Sequence, residues 1–320
     1  MLSDWPTLSL VIPVGPGDDA NLQALLTSLQ TQDYPQEQVE VLLIREGNSE
    51  EAKAIGIQQA HGDIIGMLCT DNVLTTPTFL TQMVDAAHQP SVVGAYTSHY
   101  AYIKKDTPLN RYFALLGAND PLCWWLGKAD RRDYLSGPPK SEGASYRLSH
   151  RDSIPSCGDN GFFLKATLAK SVLGQPDTFG SCMDMCEDLR RHGYAIYTIV
   201  PTTLWHRTGL SWRRYFVKRW RYVRELYWRR LPTRRWRMVS TPHDWWRCIT
   251  FALASFTVVF HLWVSIKGYR RVRDWSWFLH SPVCLLLTLL YTAAWLEALM
   301  RRLSSRRGTD RRAMPHSGGA

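Results

Sequence analysis

The N-terminal part of the chain alternates between continuous apolar runs and segments with helical spacing. Apolar runs at residues 8–14, 39–44 and 64–68 predict three buried β-strands. Between them, apolar residues recur at helical spacing over residues 21–32 and 50–60, which predicts two helices. This β-α-β-α-β order predicts an α/β domain with a parallel sheet that carries helices on both faces.

Ligands of such sheets bind outside the carboxyl ends of the strands. The loops that follow the three strands, at residues 13–19, 45–49 and 69–72, are therefore expected to form one site. Residues 97–156 are rich in Tyr, Trp, Asp, Arg and Pro and predict loops and short helices over that site; a compact structural insertion is the alternative.

The pattern further along predicts a loop leading into a strand at residues 157–165, a helix at 182–192 closed by Gly193, and a strand at 195–200. From Ser211, aromatic and apolar residues recur at helical spacing with Arg and Lys between them. That pattern is typical of an amphipathic helix in the membrane interface.

Two apolar segments follow. Residues 248–266 contain no charged side chain, and residues 275–300 contain only Glu297. Each is close to the length of about 20 apolar residues that a bilayer crossing needs. We expect a transmembrane hairpin, with the loop at Lys267 and Arg270 on the far side of the membrane; two buried helices of a soluble core, or a single span, are the alternatives.

Charge separates the two parts of the chain. Residues 1–206 carry 15 Lys and Arg against 23 Asp and Glu, whereas residues 207–320 carry 23 against 5, so the net charges are −8 and +18. The basic part beside apolar segments favours an anionic membrane as partner, and the acidic part argues against nucleic acid.

These patterns together predict four regions: an α/β domain at 1–210, a basic amphipathic interface segment at 211–243, two transmembrane helices at 244–302 and a disordered tail at 303–320. The N-terminus lacks the pattern of a signal peptide, and the seven cysteines have no disulfide-like spacing. We therefore expect the α/β domain to lie in the cytoplasm, at the inner cell membrane.

Six segments, in this order, resemble the family-2 glycosyltransferases of the GT-A fold: 10–14 (LVIPV), 39–47, 55–72, 157–163 (CGDNGFF), 193–206 and 213–224 (RRYFVKRWRYVR). The resemblance implies a Rossmann-like nucleotide-diphospho-sugar transferase domain. It also implies hexosyl transfer from a nucleotide-diphosphate sugar to a lipid-linked or glycan acceptor, with Mg²⁺ or Mn²⁺ as cofactor, in the synthesis of a cell-envelope polysaccharide.

The sequence departs from the family pattern at three acidic positions. The paired acids after the second strand are Arg45 and Glu46, and the D-x-D position reads Cys69-Thr70-Asp71. The usual Glu-Asp pair falls on Ser181 and Cys182. A catalytically degenerate protein that binds a nucleotide sugar or a lipid-linked glycan is therefore the alternative function. A nucleic-acid-binding membrane protein is a third hypothesis.

Asp71 follows a buried strand and is the predicted ligand of a divalent cation and of the nucleotide sugar, with His206 as second metal ligand. Pro13 and Glu46 are predicted to contact the nucleotide, Glu46 through a base or a ribose hydroxyl. The alternatives are a turn or N-cap acid for Asp71, a hydrogen-bonded histidine for His206 and a solvated loop acid for Glu46.

Asp159 and Asn160 lie on a Gly-flanked loop that allows close approach to a sugar, so we predict that Asp159 acts in catalysis and that Asn160 binds the donor; an Asx turn is the alternative. Arg219, in the basic segment, is predicted to neutralise a diphosphate or a lipid phosphate, with contact to anionic lipid as the alternative.

An inverting transfer to a sugar hydroxyl needs a general base, and we predict Asp184, with Glu187 or Asp188 as substitutes; a solvated acidic stripe on the helix is the alternative. A lipid phosphate is already ionised and needs no base, which favours a polyprenyl-phosphate acceptor. A zinc site at Cys182, Cys186 and His192 lacks a second ligand pair.

Overall fold

The computed structural model describes residues 5–136, 145–174, 179–208 and 211–312. The strands of the described residues are β1 (Leu8–Pro13), β2 (Val39–Ile44), β3 (Ile64–Met67), β4 (Asn72–Leu74), β5 (Gly94–Tyr100), β6 (Tyr146–Ser149), β7 (Phe162–Lys165) and β8 (Ile196–His206). The α-helices are α1 (Asp19–Gln30), α2 (Ser49–Gln59), α3 (Phe79–His88), α4 (Pro108–Leu116), α5 (Pro121–Trp125), α6 (Ala166–Val172), α7 (Cys182–Arg191), α8 (Trp212–Arg221), α9 (Pro242–Thr257), α10 (Val259–Arg271) and α11 (His280–Arg312). A π-helix (Tyr222–Arg229) follows α8, and a 3-10 helix (Trp275–Leu279) precedes α11.

The strands form one mixed sheet in the order β2-β1-β3-β7-β5-β8-β4, with β6 paired to β8. β1 pairs in parallel with β2 and β3, as the apolar runs predict. Beyond β3 the sheet changes direction, because β7 runs antiparallel to both β3 and β5. The strands β5 and β8 again pair in parallel, whereas β4 and β6 run antiparallel to β8. The expectation of a parallel sheet therefore holds for β1, β2 and β3 and for the β5–β8 pair, and is wrong for β4, β6 and β7.

Helices cover both faces of this sheet. Leu22 and Leu25 of α1 and Met83 of α3 pack in the core on one face. Ala54 and Ile57 of α2 pack on the other, together with α6 and α7. The α2 helix approaches β1 closely because position 56 is a glycine, where an added Cβ would lie 2.3 Å from the Val11 side chain.

Residues 97–156 are more regular than the sequence predicts. They contain the end of β5, whose seven residues are all buried, as well as α4, α5 and β6. Because β5 carries Tyr96, Thr97, Ser98, His99 and Tyr100, it lacks the apolar run that indicates a central strand. The expectation of loops and short helices was therefore incomplete.

The first apolar segment differs from the predicted transmembrane helix. It forms α9 and α10, which bend by 84° at a break at Val258. The start of α9 and the segment after α10 both contact the α/β domain: Lys128 Nζ lies 2.9 Å from Asp244 Oδ2, and Arg111 Nε lies 2.9 Å from Asp274 Oδ2. The segment therefore leaves the domain and returns to it and is not one straight helix. By length and composition the bent pair together can still form one span, so the transmembrane hairpin stays a prediction.

The second apolar segment matches its prediction more closely. Among the described residues, one helical stretch, Trp275–Arg301, is long and apolar enough to cross a membrane, with a mean hydropathy of 1.9. The helix α11 continues to Arg312, so residues 303–312 are helical and the prediction of a disordered tail is wrong for them. The remainder of that predicted tail, 313–320, lies outside the described residues.

Candidate active site

A cavity of about 360 Å³ lies at the carboxyl ends of β1, β2 and β3. The sequence-predicted residues Pro13, Glu46 and Asp71 line this donor-side cavity together. Its lining also includes the cationic residues Arg207, Arg214 and Lys218, with Lys218 Nζ 3.8 Å from Asp71 Oδ2. The three loops therefore form one site, as expected from the sheet, and the site combines a strand-end wall with positive charge.

A second, larger cavity of about 1730 Å³ adjoins the first. It extends from the strand ends past α5 and α8 to α9 and α11, and we call it the helix-side cavity. Its wall changes along its length: Asp159 and His206 lie at one end, whereas Phe251 and Trp295 lie at the other. Both cavities share a boundary made by Asn48, Ser49, Cys69, Asp71, Thr208 and Lys218.

Asp71 and His206 meet at this boundary. The strand β4 pairs antiparallel with β8, which places Asn72 opposite His206 and lets the Arg207 amide donate to the Asp71 carbonyl at 2.8 Å. His206 Nε2 then lies 3.5 Å from Asp71 Oδ1, and Lys218 Nζ lies 3.8 Å from Asp71 Oδ2. Burial works to raise the pKa of Asp71, but His206 and Lys218 hold that pKa below its ordinary value, so the carboxylate is ionised.

The donors at this point fit a hard divalent cation. Oδ1 of Asp71 is buried, and His206 Nε2 contacts it at 3.5 Å. Adjacent ligands of an octahedral Mg²⁺ or Mn²⁺ ion lie about 3 Å apart, which is close to the spacing of this oxygen and His206 Nε2. One carboxylate and one imidazole leave most of the coordination sphere for phosphate oxygens and water. Asp71 and His206 therefore fit the predicted cation when a diphosphate is also bound.

Lys53 is a buried cation that the sequence analysis did not identify. Its Nζ lies 2.9 Å from Glu50 Oε1 and 2.8 Å from Asp159 Oδ1, and all three residues line the helix-side cavity. Burial works to lower the pKa of Lys53, but Asp159 and Glu50 together hold that pKa well above its ordinary value. Asp159 therefore faces the cavity as the partner of a fixed ammonium group, and its predicted part in catalysis stays a prediction.

The loop that carries Asn160 is flanked by Gly158 and Gly161, and its backbone adopts positive φ angles at these positions. Asn160 itself adopts a left-handed φ of 54°, and its carbonyl accepts a hydrogen bond of 2.6 Å from Arg131. At Gly158, with a φ of 120°, an added Cβ would lie 2.7 Å from Cys182 Cβ, so only glycine fits. Asn72 donates to Asn160 Oδ1 at 3.2 Å, which directs this side chain along the cavity wall beside Asp71.

Arg219 lines the helix-side cavity, but its guanidinium group already contacts other residues of this chain. Its guanidinium donates to the Asn119 carbonyl at 2.8 Å and lies 3.3 Å from Asp120 Oδ2. The rings of Tyr215 and Tyr222 lie 5.7 and 5.6 Å from it. These contacts fix α8 against the α/β domain, so α8 is a wall of the cavity as well as the predicted basic helix.

The structure argues against Asp184 as a general base. Its side chain is fully buried and lines neither cavity, and its Oδ2 lies 2.7 Å from Arg234 Nε. Oδ1 accepts hydrogen bonds from the backbone amides of Arg235 and Trp236 at 2.8 and 2.7 Å. A carboxylate with both oxygens committed in this way anchors the segment after the π-helix and has no access to an acceptor.

The two substitutes for Asp184 are engaged as well. Glu187 lies 2.7 Å from Arg190 and 3.1 Å from Arg191, and Asp188 lies 2.6 Å from Arg235. The cysteines of the considered zinc set are buried in α7, but His192 is exposed and bonds to the Asp188 carbonyl. Within the described residues these three side chains do not form a metal-binding group.

Asp130 is a further cavity residue that sequence reasoning missed. It accepts a hydrogen bond from the hydroxyl of Tyr100, whose ring centroid lies 5.1 Å from that of His206. Burial raises the pKa of Asp130, and Arg131 offsets part of that effect. Asp130 and Lys53 occur in no recognisable local pattern, so no sequence signal identifies them. Lys218 lies within the basic segment, where its spacing alone did not distinguish it from its neighbours.

No protein-family model matches this chain, and no curated protein sequence matches it. Among solved structures, the chain is similar to the mannosyltransferase PcManGT from Pyrobaculum calidifontis in complex with GDP-Man and Mn²⁺, with 14% identity over 92% of this chain and 87% of that chain and a TM-score of 0.45. It is also similar to S. aureus TarS 1–349, with 11% identity over 69% of this chain and 65% of that chain and a TM-score of 0.41. These similarities are too distant to assign a family.

Proposed function

We propose that this chain is a membrane-associated hexosyltransferase of the family-2 type that transfers a sugar from a nucleotide-diphosphate sugar to a lipid-linked acceptor. The observation that carries the proposal is the shared boundary of the two cavities at Asp71. A donor in the smaller cavity and an acceptor in the larger one would have their reacting groups on either side of this residue.

The donor-side cavity has the chemistry that a nucleotide diphosphate needs. Arg207, Arg214 and Lys218 supply positive charge beside the strand ends, where phosphates bind in open α/β sheets. Asp71 and His206 would hold a Mg²⁺ or Mn²⁺ ion together with phosphate oxygens. When bound, such an ion neutralises the negative charge that develops on the departing diphosphate.

The helix-side cavity supports an acceptor with a charged head and an apolar tail. Arg224 and Arg230 lie on its wall beyond Arg219, and Phe251 and Trp295 continue it between α9 and α11. Arginine suits a phosphate, and aromatic walls suit an isoprenoid chain. A polyprenyl phosphate combines both parts, whereas a free glycan would use only the polar end. We therefore favour the lipid phosphate over the glycan acceptor.

The proposed reaction is a direct displacement at the anomeric carbon. An ionised phosphate oxygen of the acceptor attacks the anomeric carbon from the face opposite the nucleotide. The new carbon–oxygen bond forms as the bond to the nucleoside diphosphate breaks, and the diphosphate leaves with the electron pair, which inverts the anomeric configuration. No proton is removed, so no general base is needed, in keeping with the engagement of Asp184 by Arg234. Asp159 and Lys53 would bind sugar hydroxyls at the cavity wall.

The helices α9, α10 and α11 supply an exposed apolar surface for the membrane. Its large exposed side chains are Trp245, Trp246, Ile249, Leu253, Phe256, Val258, Val259, Phe260, Leu262, Trp263, Ile266, Trp275, Leu286, Leu289, Trp295, Leu296, Leu299 and Met300. So large an exposed apolar area is typical of a membrane-docking surface. We propose that it embeds in an anionic inner membrane with the α/β domain in the cytoplasm, where the product would enter a cell-envelope polysaccharide.

A catalytically degenerate nucleotide-sugar or glycan binder is the second candidate. One observation favours it. Among the described residues, Asp71 is the acidic residue that lines both cavities, whereas the resembled family has several acidic residues in the corresponding motifs. This candidate predicts nucleotide binding without turnover.

Transfer assays separate the two candidates. Detergent-solubilised protein is incubated with radiolabelled UDP- and GDP-sugars and a polyprenyl phosphate, with Mg²⁺, with Mn²⁺ or with EDTA. We expect a solvent-extractable glycolipid that requires the cation. Donor binding by calorimetry without a product for any donor would instead support the degenerate binder, and neither binding nor product would overturn both.

A further inference from the structure

Three metal-binding side chains converge in the helical part of the chain, and none of them lines either cavity. His261 lies on α10, and His280 and Cys284 lie on the first turns of α11. All three are fully buried, and their ligand atoms lie within 4.8 Å of one another. Within the described residues, this is the group of three or more His, Cys, Asp or Glu side chains with the spacing of a metal site.

We propose that His261 Nδ1, His280 Nε2 and Cys284 Sγ bind a thiophilic d¹⁰ metal ion, Zn²⁺ or Cu⁺. This site is separate from the hard-cation site at Asp71 and does not depend on the proposed transferase function. Two imidazoles and one thiolate form a borderline-soft donor set that suits these ions and is poor for Mg²⁺ or Mn²⁺.

The spacing of the donors agrees with a shared ion. His261 Nδ1 lies 3.2 Å from His280 Nε2, and Cys284 Sγ lies 3.8 Å from both ring nitrogens of His280. Ligands at about 2.0 Å for nitrogen and about 2.3 Å for sulfur, arranged around one ion, lie roughly 3.3 to 3.8 Å apart. Cys284 Sγ now lies equally far from both nitrogens of His280, so an ion shared by the three atoms requires the thiol to move toward Nε2.

The outer hydrogen bonds of the two histidines select the ligand nitrogens. Tyr112 OH lies 2.8 Å from His280 Nδ1, and Ser255 Oγ lies 3.1 Å from His261 Nε2. Each imidazole thus has an outer partner at one nitrogen. The remaining nitrogens, His261 Nδ1 and His280 Nε2, face each other at 3.2 Å, with Cys284 Sγ within 4.8 Å of both. Metal-binding histidines characteristically donate their second N–H to such an outer partner, which fixes the tautomer and the ring orientation.

The position of the site gives the ion a structural role. Val258, three residues before His261, adopts a left-handed φ of 62°, which is rare for a β-branched residue. An ion bound by His261 and His280 would join α10 to α11 just beyond this strained break. Through Tyr112 on α4, it would also fix the start of α11 to the α/β domain. We therefore expect bound metal to stabilise the docking of α9–α11.

Metal analysis of the full chain tests the proposal. Protein purified in detergent without chelator and dialysed into metal-free buffer is examined by mass spectrometry, and we expect about one Zn²⁺ or Cu⁺ per chain. The retained ion identifies which of the two metals is bound. Cys284→Ser should lose at least about nine-tenths of this metal, whereas Asp71→Asn should retain it, because Asp71 belongs to the other cation site.

Cobalt provides a readout that is independent of enzyme activity. After metal removal, Co²⁺ bound to a thiolate gives a near-ultraviolet charge-transfer absorption, and we expect it in the wild-type chain. It should disappear in Cys284→Ser and in His280→Gln and persist in Cys69→Ser, which tests the cysteine next to Asp71. Far-ultraviolet circular dichroism verifies that each variant is folded; His261→Gln, which keeps a hydrogen-bonding side chain, replaces any variant that is not.

Two outcomes would overturn the proposal. One is a folded wild-type chain that retains neither Zn²⁺ nor Cu⁺ and gives no cobalt–thiolate absorption. The other is metal content or absorption that is unchanged in folded Cys284→Ser. In either case His261 and His280 form only a buried hydrogen-bonded chain between Ser255 and Tyr112.

Discussion

Asp71 and His206 lie side by side, with Oδ1 and Nε2 3.5 Å apart, because β4 and β8 pair antiparallel. The pairing brings a residue that follows the third strand against the last residue of the eighth. The two side chains therefore face the boundary of both cavities, where a donor diphosphate and an acceptor would meet. The first prediction follows from this position.

Asp71→Asn should lower the transfer rate by at least about 10²-fold while the chain stays folded. The substitution keeps the size of the side chain but removes the charge that would hold the cation. The measurement is the initial rate of glycolipid formation, with the thermal midpoint of unfolding as the check on folding. Asp19→Asn is the matched control, because Asp19 is an exposed acid whose ion pair with Arg45 spans 3.6 Å. A rate within about twofold of wild type for Asp71→Asn would remove this residue from the mechanism.

Asp184→Asn should act on stability instead of on the reaction. The ion pair with Arg234 is buried, with 0% and 3% of the two side chains exposed, so removal of one partner leaves an uncompensated charge. We expect a loss of about 3 to 5 kcal/mol in the free energy of unfolding. The rate per folded molecule should change little if the acceptor is the proposed lipid phosphate, which has no proton to lose.

Asp188→Asn is the control for Asp184→Asn, because it also removes a carboxylate of α7 that pairs with an arginine. Asp188 pairs with Arg235 in a more exposed position, so the expected loss is at most about 1 kcal/mol. Denaturant unfolding in detergent gives both values. A rate loss of about 10²-fold in folded Asp184→Asn would restore the general base and point to a hydroxyl acceptor.

The extent to which the sequence predicts the fold depends on how local the signal is. β1, β2 and β3 could be predicted because each is a continuous apolar run, and Asp71 could be placed because it follows β3. The strand β5 could not, because buried polar side chains occupy much of it. Its backbone pairs with β7 and β8, which only the folded sheet reveals.

The site shows the same limit. Asp184 occupies a plausible position on an acidic helix, but its partner Arg234 lies 50 positions further along the chain, so only the tertiary fold shows the buried ion pair. Lys53 likewise has the pattern of an ordinary helix lysine until Asp159 is placed beside it. Apolar composition also cannot separate a straight membrane helix from one bent at Val258.

Unfolding should become easier as the pH falls from about 6.5 toward 4. Burial lowers the pKa of His99 to about 4, with Arg132 and Arg131 adding to the effect, and burial lowers the pKa of His150 to about 4. In the unfolded chain both imidazoles titrate near their ordinary pKa of about 6.5. The unfolded state therefore binds more protons in this window, so the stability present above it is lost as the pH falls through it.

The measurement is the free energy of unfolding at about pH 7 and about pH 5. We expect the lower value at pH 5 and a smaller difference in His99→Gln and His150→Gln. His88→Gln, at an exposed position, should leave the difference unchanged. An equal pH dependence in all four proteins would exclude these two histidines as its source.

The last prediction concerns the side of the membrane on which the loop after α10 lies. Asp274, next to this loop, is 2.9 Å from Arg111 of the α/β domain, so the loop should share the compartment of that domain.

Gly268 is unsuitable for labelling, because an added Cβ would lie 2.2 Å from the Trp277 ring, whereas Arg271 is exposed. Arg271→Cys and the exposed domain position Asp85→Cys are compared in a background without Cys69 and Cys248, the two cysteines that are not buried. In intact cells a membrane-impermeant thiol reagent should leave both protected, and in permeabilised cells it should label both. Labelling of Arg271→Cys from outside, with Asp85→Cys protected, would support the transmembrane hairpin and contradict the return of α10 to the domain.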